Sequence, residues 1–83
     1  MKLIIYSVTC TPCKYRAALN RIKGYINVHG GMLEIKNTAF SYQNREEAEN
    51  IGQPLPFIYN ADNGRTTQLV GVTDAELDSI RGI

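Results

Sequence analysis

Apolar and polar positions change their period several times along the chain. Lys2-Leu3-Ile4-Ile5-Tyr6-Ser7 is apolar, β-branched and closed by polar residues, which predicts a largely buried strand. From Thr11 the period lengthens. Tyr15, Leu19, Ile22 and Ile26 recur at helical spacing, with Arg16, Asn20, Arg21 and Lys23 on the solvent side. This predicts a helix that begins at Thr11 and ends at Gly24 or near Asn27. His29-Gly30-Gly31 reads as a turn. Met32 to Lys36 alternates as a second strand, with Leu33 and Ile35 on one face. A strand, a helix and a strand in that order form a right-handed parallel crossover.

Asn44 followed by Glu47 matches a helix-start signature. A short helix should run to Ile51, bury Ala48 and Ile51, and stop at Gly52. Gln53-Pro54-Leu55-Pro56 excludes both helix and central strand. Phe57 to Asn60 is a third strand, Ala61-Asp62-Asn63-Gly64 a turn built on Asn-Gly, and Arg65 to Val70 a fourth strand in a hairpin with the third. Thr73-Asp74-Ala75-Glu76 is a capping box opening a last helix, with Leu77 and Ile80 facing inward. The order βαβαββα predicts one α/β domain over residues 1–83, a four-stranded mixed sheet flanked by three helices.

Charge narrows the class. Nine Lys and Arg against eight Asp and Glu, mixed along the chain, offer no basic surface for nucleic acid or an anionic membrane. Leu3-Ile4-Ile5 after Lys2 is too short for a signal-peptide core, and no stretch approaches the roughly 20 apolar residues of a membrane span. The expectation is a monomer in the cytoplasm, or in the host cytoplasm if the source is viral. In a reducing compartment a close cysteine pair points to redox or metal chemistry rather than to a structural bridge.

The only two cysteines, Cys10 and Cys13, stand between the first strand and the first helix. A C-x-x-C in that setting is a thioredoxin-like redox motif. Zinc needs more ligands than these two and His29, which reads as a solvated loop residue, so no metal is expected. A fixed disulfide closing so small a loop stabilises little. Cys10 lies at the open helix end, where free N–H groups and the helix dipole favour a thiolate. Pro12 suits the first turn because its missing N–H costs nothing there. The Cys13 N–H and the Thr11 hydroxyl are then the donors to the Cys10 sulfur, and Lys14 adds positive potential. Cys10 would attack a substrate disulfide, and Cys13, one turn further in, would resolve the mixed disulfide. Tyr6, Tyr15, Tyr25, Tyr42 and Tyr59 read as core or edge fillers.

With these residues in view, the chain resembles the glutaredoxins and small thioredoxins, particularly the short glutaredoxins of bacteria and their phages. The C-x-x-C sits where that family carries it. Leu55-Pro56 precedes the third strand, where the family has a cis-proline. Val70-Gly71-Val72-Thr73-Asp74 is similar to the segment that holds the γ-glutamyl end of glutathione. The resemblance implies a thioredoxin fold and a thiol–disulfide oxidoreductase with no tightly bound cofactor, using glutathione as co-substrate. Its clients would be disulfide-containing proteins such as ribonucleotide reductase. Cys10 and Cys13 would be catalytic, and Thr11, Pro12, Leu55, Pro56, Thr73 and Asp74 would bind substrate. A cis bond at Pro56, with a trans bond at Pro54, would turn the Leu55 N–H and C=O outward to pair with an extended substrate strand.

Other positions lean differently. Thr11-Pro12 followed by Lys14 resembles thioredoxin, which would be fed by thioredoxin reductase. Ser7 stands where glutaredoxins often carry a lysine, leaving Lys14 or Arg16 to meet the glycine carboxylate of glutathione. Thr9 replaces the tryptophan of thioredoxins, Pro54-Leu55-Pro56 replaces Thr-Val-Pro, and Gly71 stands for a usual glycine pair. A third reading is a thioredoxin-fold binding module whose cysteines are dispensable.

Overall fold

The structure is a computed structural model and describes residues 1–82. The chain runs β1 (Lys2–Ser7), α1 (Thr11–Lys14), α2 (Arg16–His29), β2 (Met32–Asn37), α3 (Tyr42–Ile51), β3 (Phe57–Asn60), β4 (Thr66–Gln68) and α4 (Asp74–Arg81). The strands form one open mixed sheet in the order β2-β1-β3-β4. β1 pairs parallel with β2, and β3 pairs antiparallel with both β1 and β4. This α/β arrangement is compatible with a thioredoxin-like fold. No helix among the described residues is long and apolar enough to cross a membrane.

β1 is apolar almost throughout because both of its faces are covered. Leu3 and Ile5 pack with Ile58 against Leu19, Ile22 and Tyr25 of α2 and Leu77 and Ile80 of α4. Ile4 and Tyr6 pack with Phe57 against Ala48 of α3. Central strands with helices on both faces hold the carboxyl end of β1, and the cysteines that follow it, in a fixed place.

The first predicted helix differs in two ways. It is broken at Tyr15 (φ −120°, ψ 40°), giving four helical segments in place of three. The Tyr15 N–H still donates to the Thr11 carbonyl at 2.8 Å, and the Tyr15 carbonyl accepts from Leu19 at 2.9 Å. One apolar stripe therefore crosses the break, and periodicity cannot register a single residue outside helical dihedrals. The helix also passes through Gly24 to His29, so His29 is helical and not part of a turn. Interior glycine costs about 1 kcal/mol against alanine, less than the burial of Tyr25 one residue later stabilises.

The start of α3 is corrected as well. Its cap is Ser41, whose Oγ accepts from the Asn44 N–H at 3.2 Å. Asn44 is already inside the helix, and its Nδ2 donates to the Asn37 carbonyl at the end of β2. β4 is shorter than Arg65 to Val70. The Arg65 N–H is taken by the Asn63 side chain, and Leu69 turns into the core. The remaining boundaries follow the predicted pattern, including the Thr73–Glu76 capping box and the left-handed stop at Gly52. Gly31 is required sterically: at φ +135° a Cβ would stand 2.5 Å from the Met1 carbonyl oxygen.

Candidate functional site

The site begins where β1 ends. Ser7 is buried, and its hydroxyl accepts from the Thr9 N–H at 3.2 Å while lying 3.4 Å from the Thr9 hydroxyl. The Ser7 carbonyl accepts from the N–H of Thr38, the residue following β2, at 2.8 Å. The turn before the cysteines is thus pinned to the end of the neighbouring parallel strand. Ser7 and Thr9 thus shape the loop that presents the cysteines.

Cys10 is the N-cap of α1 and Cys13 its third residue, with Pro12 between them in the first turn. The two cysteines form a disulfide with their Cα atoms 5.2 Å apart. Both are exposed. Cys13, although one turn further along the helix, stands in solvent as Cys10 does. Thr11 is the buried residue of this helix, and a residue two positions on points about 200° away around it. In the disulfide form the Cys10 side chain caps no N–H. The Thr11 hydroxyl is buried without a hydrogen-bond partner, so this side chain lies beneath the motif and not on a substrate-facing surface. Lys14 is exposed, its ammonium 5.6 Å from the centre of the Tyr15 ring. Arg16 is exposed too.

The Leu55–Pro56 bond is cis, and it is the only cis bond among the described residues, so Gln53–Pro54 is trans. Leu55 is 37% exposed, and the Pro56 carbonyl accepts from the Leu69 N–H at 3.3 Å. Thr73 caps α4: its hydroxyl accepts from the Glu76 N–H, and the Glu76 carboxylate accepts from the Thr73 N–H. Hydrogen bonds from Thr67 first, and then from Thr73, hold the Glu76 carboxyl below its ordinary range. Asp74 is 70% exposed and pairs with Arg21 of α2 at 3.4 Å. The carboxylate expected to meet a γ-glutamyl ammonium therefore already faces a guanidinium.

One feature escaped the sequence reading. A cavity of about 400 Å³ lies between the end of β1, the loop after β2 and α3. Val8, Thr38, Ala39, Ala48 and Leu55 line it, with Arg45 and Glu49 as its charged groups. Val8 stands two residues before Cys10 and is 51% exposed, an apolar side chain left in solvent beside the motif. That exposure depends on how α3 and the Leu55 loop stand apart, which no local pattern encodes. Arg45, rather than Lys14 or Arg16, is the cation that shares this cavity with Leu55. His29 lies far along α2 from the motif and makes its contacts with Arg81 and Tyr25. No group of three or more metal-ligating side chains occurs among the described residues.

No family model matches the chain, and no curated protein or solved structure matches it significantly. The likeness to thioredoxin-like proteins rests on the topology and on the cysteine pair at the end of β1.

Proposed function

We propose that the protein is a thiol–disulfide oxidoreductase working through the Cys10/Cys13 dithiol. The observation that carries this reading is the exposed Cys10–Cys13 disulfide at the amino end of α1, immediately after a buried central strand. In the reduced form the Cys10 thiolate attacks one sulfur of a substrate disulfide, forming a mixed disulfide and expelling the first substrate thiolate. The Cys13 thiolate then attacks the Cys10 sulfur and expels the second. Two electrons pass to the substrate, its two thiolates take up two protons, and the protein is left as its disulfide. Cys10 is assigned the attack because it stands at the N-cap position of α1, where the helix dipole and the free N–H groups of the first turn would favour a thiolate once the disulfide is reduced.

The finer reading is glutaredoxin-like, with glutathione as electron source and protein disulfides, ribonucleotide reductase among them, as clients. It is supported by the segment Val70 to Asp74 and by the exposed Leu55 that precedes Pro56. The Arg21–Asp74 pair favours a second reading, a thioredoxin-like protein fed by thioredoxin reductase, because it occupies the carboxylate that glutathione would use. The test is to reduce the purified disulfide form with glutathione and with thioredoxin reductase side by side, following Cys10 and Cys13 by alkylation. Turnover with either supports dithiol chemistry and names the donor. Single variants complete the test: Cys13→Ser should trap a mixed disulfide with substrate, and Cys10→Ser should not. An unchanged biological activity in both variants would move the protein to the class of docking modules.

A further inference from the structure

We infer that the free edge of β2 is a self-association surface, on which a second copy of this chain adds its own β2 antiparallel to form a continuous eight-stranded sheet. The sequence leads one to expect a monomer. β2 ends the sheet, and among the described residues no other strand pairs along its outer side. Native edges are usually blunted by charge, bulges or a covering element. Here the strand spans six residues, Met32 is 66% exposed and Ile35 is 40% exposed. Its lysine carries no bare charge at the edge, because the Lys36 ammonium is already paired with Glu47 of α3 at 2.6 Å.

Backbone direction restricts how two such edges meet. The Met32 N–H donates to the Met1 carbonyl and the Thr38 N–H to the Ser7 carbonyl. Along a parallel pair the direction alternates, so even-numbered residues bond to β1, while Leu33, Ile35 and Asn37 point their N–H and C=O groups outward. A two-fold antiparallel pairing can therefore centre Ile35 on Ile35, Glu34 on Glu34 or Lys36 on Lys36. Centring on residue 34 or 36 sets like charges opposite each other. Centring on Ile35 sets Glu34 of each copy opposite Lys36 of the other, in the non-hydrogen-bonded positions where side chains stand closest.

The same register bonds Ile35 to Ile35 and Leu33 to Asn37. The Asn37 carbonyl already accepts from Asn44 and keeps a second lone pair for the incoming Leu33 N–H. Each new Glu34–Lys36 pair would also join the existing Lys2–Glu34 and Lys36–Glu47 pairs, giving alternating charges across the seam. Of the two registers that pair five residues of each six-residue strand, centred on 34 or on 35, only the one centred on Ile35 opposes unlike charges. The cysteines lie at the end of β1 and take no part, so this inference stands or falls apart from the redox reading.

Sedimentation of the chain over a range of concentrations should show a reversible monomer–dimer equilibrium. Glu34→Lys should weaken dimerisation about tenfold or more, by turning two attractive cross-strand pairs repulsive, and Glu34→Gln should fall between. Thermal melting of each variant checks that it folds. In a Cys10→Ser/Cys13→Ser background, Ile35→Cys should cross-link on mild oxidation, since the two residues would stand about 5.5 Å apart at Cα. Met32→Cys should not, since its two copies would lie about 20 Å apart. A monomer at every concentration, a folded Glu34→Lys variant that dimerises like the parent, or equal cross-linking at 32 and 35 would overturn the inference.

Discussion

Glu47 shows at residue scale how one carboxylate ties an element to the sheet. It accepts from the Tyr6 hydroxyl at 3.0 Å and from the Lys36 ammonium at 2.6 Å, joining α3 to both β1 and β2. The Lys36 hydrogen bond, ahead of the one from Tyr6, holds its carboxyl below the ordinary 4.5, while burial pulls the other way. A lowered folded value means that this stability is present above pH 4.5 and is lost as pH falls through the folded value. Glu47→Gln should therefore cost about 1 kcal/mol at neutral pH and flatten the loss of stability below pH 4.5, measured by denaturant unfolding at several pH values. Asp74 poses the sharper functional question. If glutathione uses it, Asp74→Asn should weaken glutathione saturation roughly tenfold to a hundredfold, the effect of one charge-assisted contact of about 1.5–3 kcal/mol. Reduction by dithiothreitol should not change. Arg21→Ala, which frees the carboxylate, should act in the opposite direction. Unchanged glutathione kinetics in both variants would leave Asp74 as a helix-start residue only.

At the scale of elements, α2 depends on contacts more than on its own propensity. Gly24 lies in its interior with open space where a Cβ would stand. Gly24→Ala should stabilise the protein by about 0.5–1 kcal/mol, read as a rise in Tm of a few degrees. One residue on, Tyr25 clasps α2 to α4: its hydroxyl donates to Asp78 at 2.6 Å, and Arg81 lies over its ring. Burial first, and then the Asp78 hydrogen bond, push the phenol up from 10.0 to about 12, against the pull of Arg81. A raised folded value keeps this contribution whole below pH 10 and removes it as pH climbs toward 12. Unfolding measured across that window should show a shallower alkaline loss in Tyr25→Phe than in the parent.

For the molecule as a whole, the cysteines are peripheral to stability. The two packed clusters on either face of the sheet contain neither of them. A Cys10→Ser/Cys13→Ser variant should keep the native fold and lose at most about 2 kcal/mol, the effect of releasing so short a loop, while losing all disulfide exchange. A loss of cooperative unfolding in that variant would make the disulfide structural and remove the basis for a redox role.

The strand and helix order was legible from the sequence because each element carries its own period and its own stops. The run of β1, the Pro54–Pro56 break, the Asn63-Gly64 turn and the Thr73–Glu76 box are all local signals. The cysteine pair was legible for the same reason, since its spacing and its place before a helix lie within a few residues. What lay beyond reach were properties shared between distant segments. Asn44 resembled a cap until Ser41 and the end of β2 showed where α3 begins, and Gly24 resembled a stop until Tyr25 met Asp78 across 53 residues. The exposure of Cys13, the Arg21–Asp74 pair and the cavity beside Val8 depend on which face of each helix the sheet buries. Burial is a property of the assembled core, and so only the tertiary structure decided them.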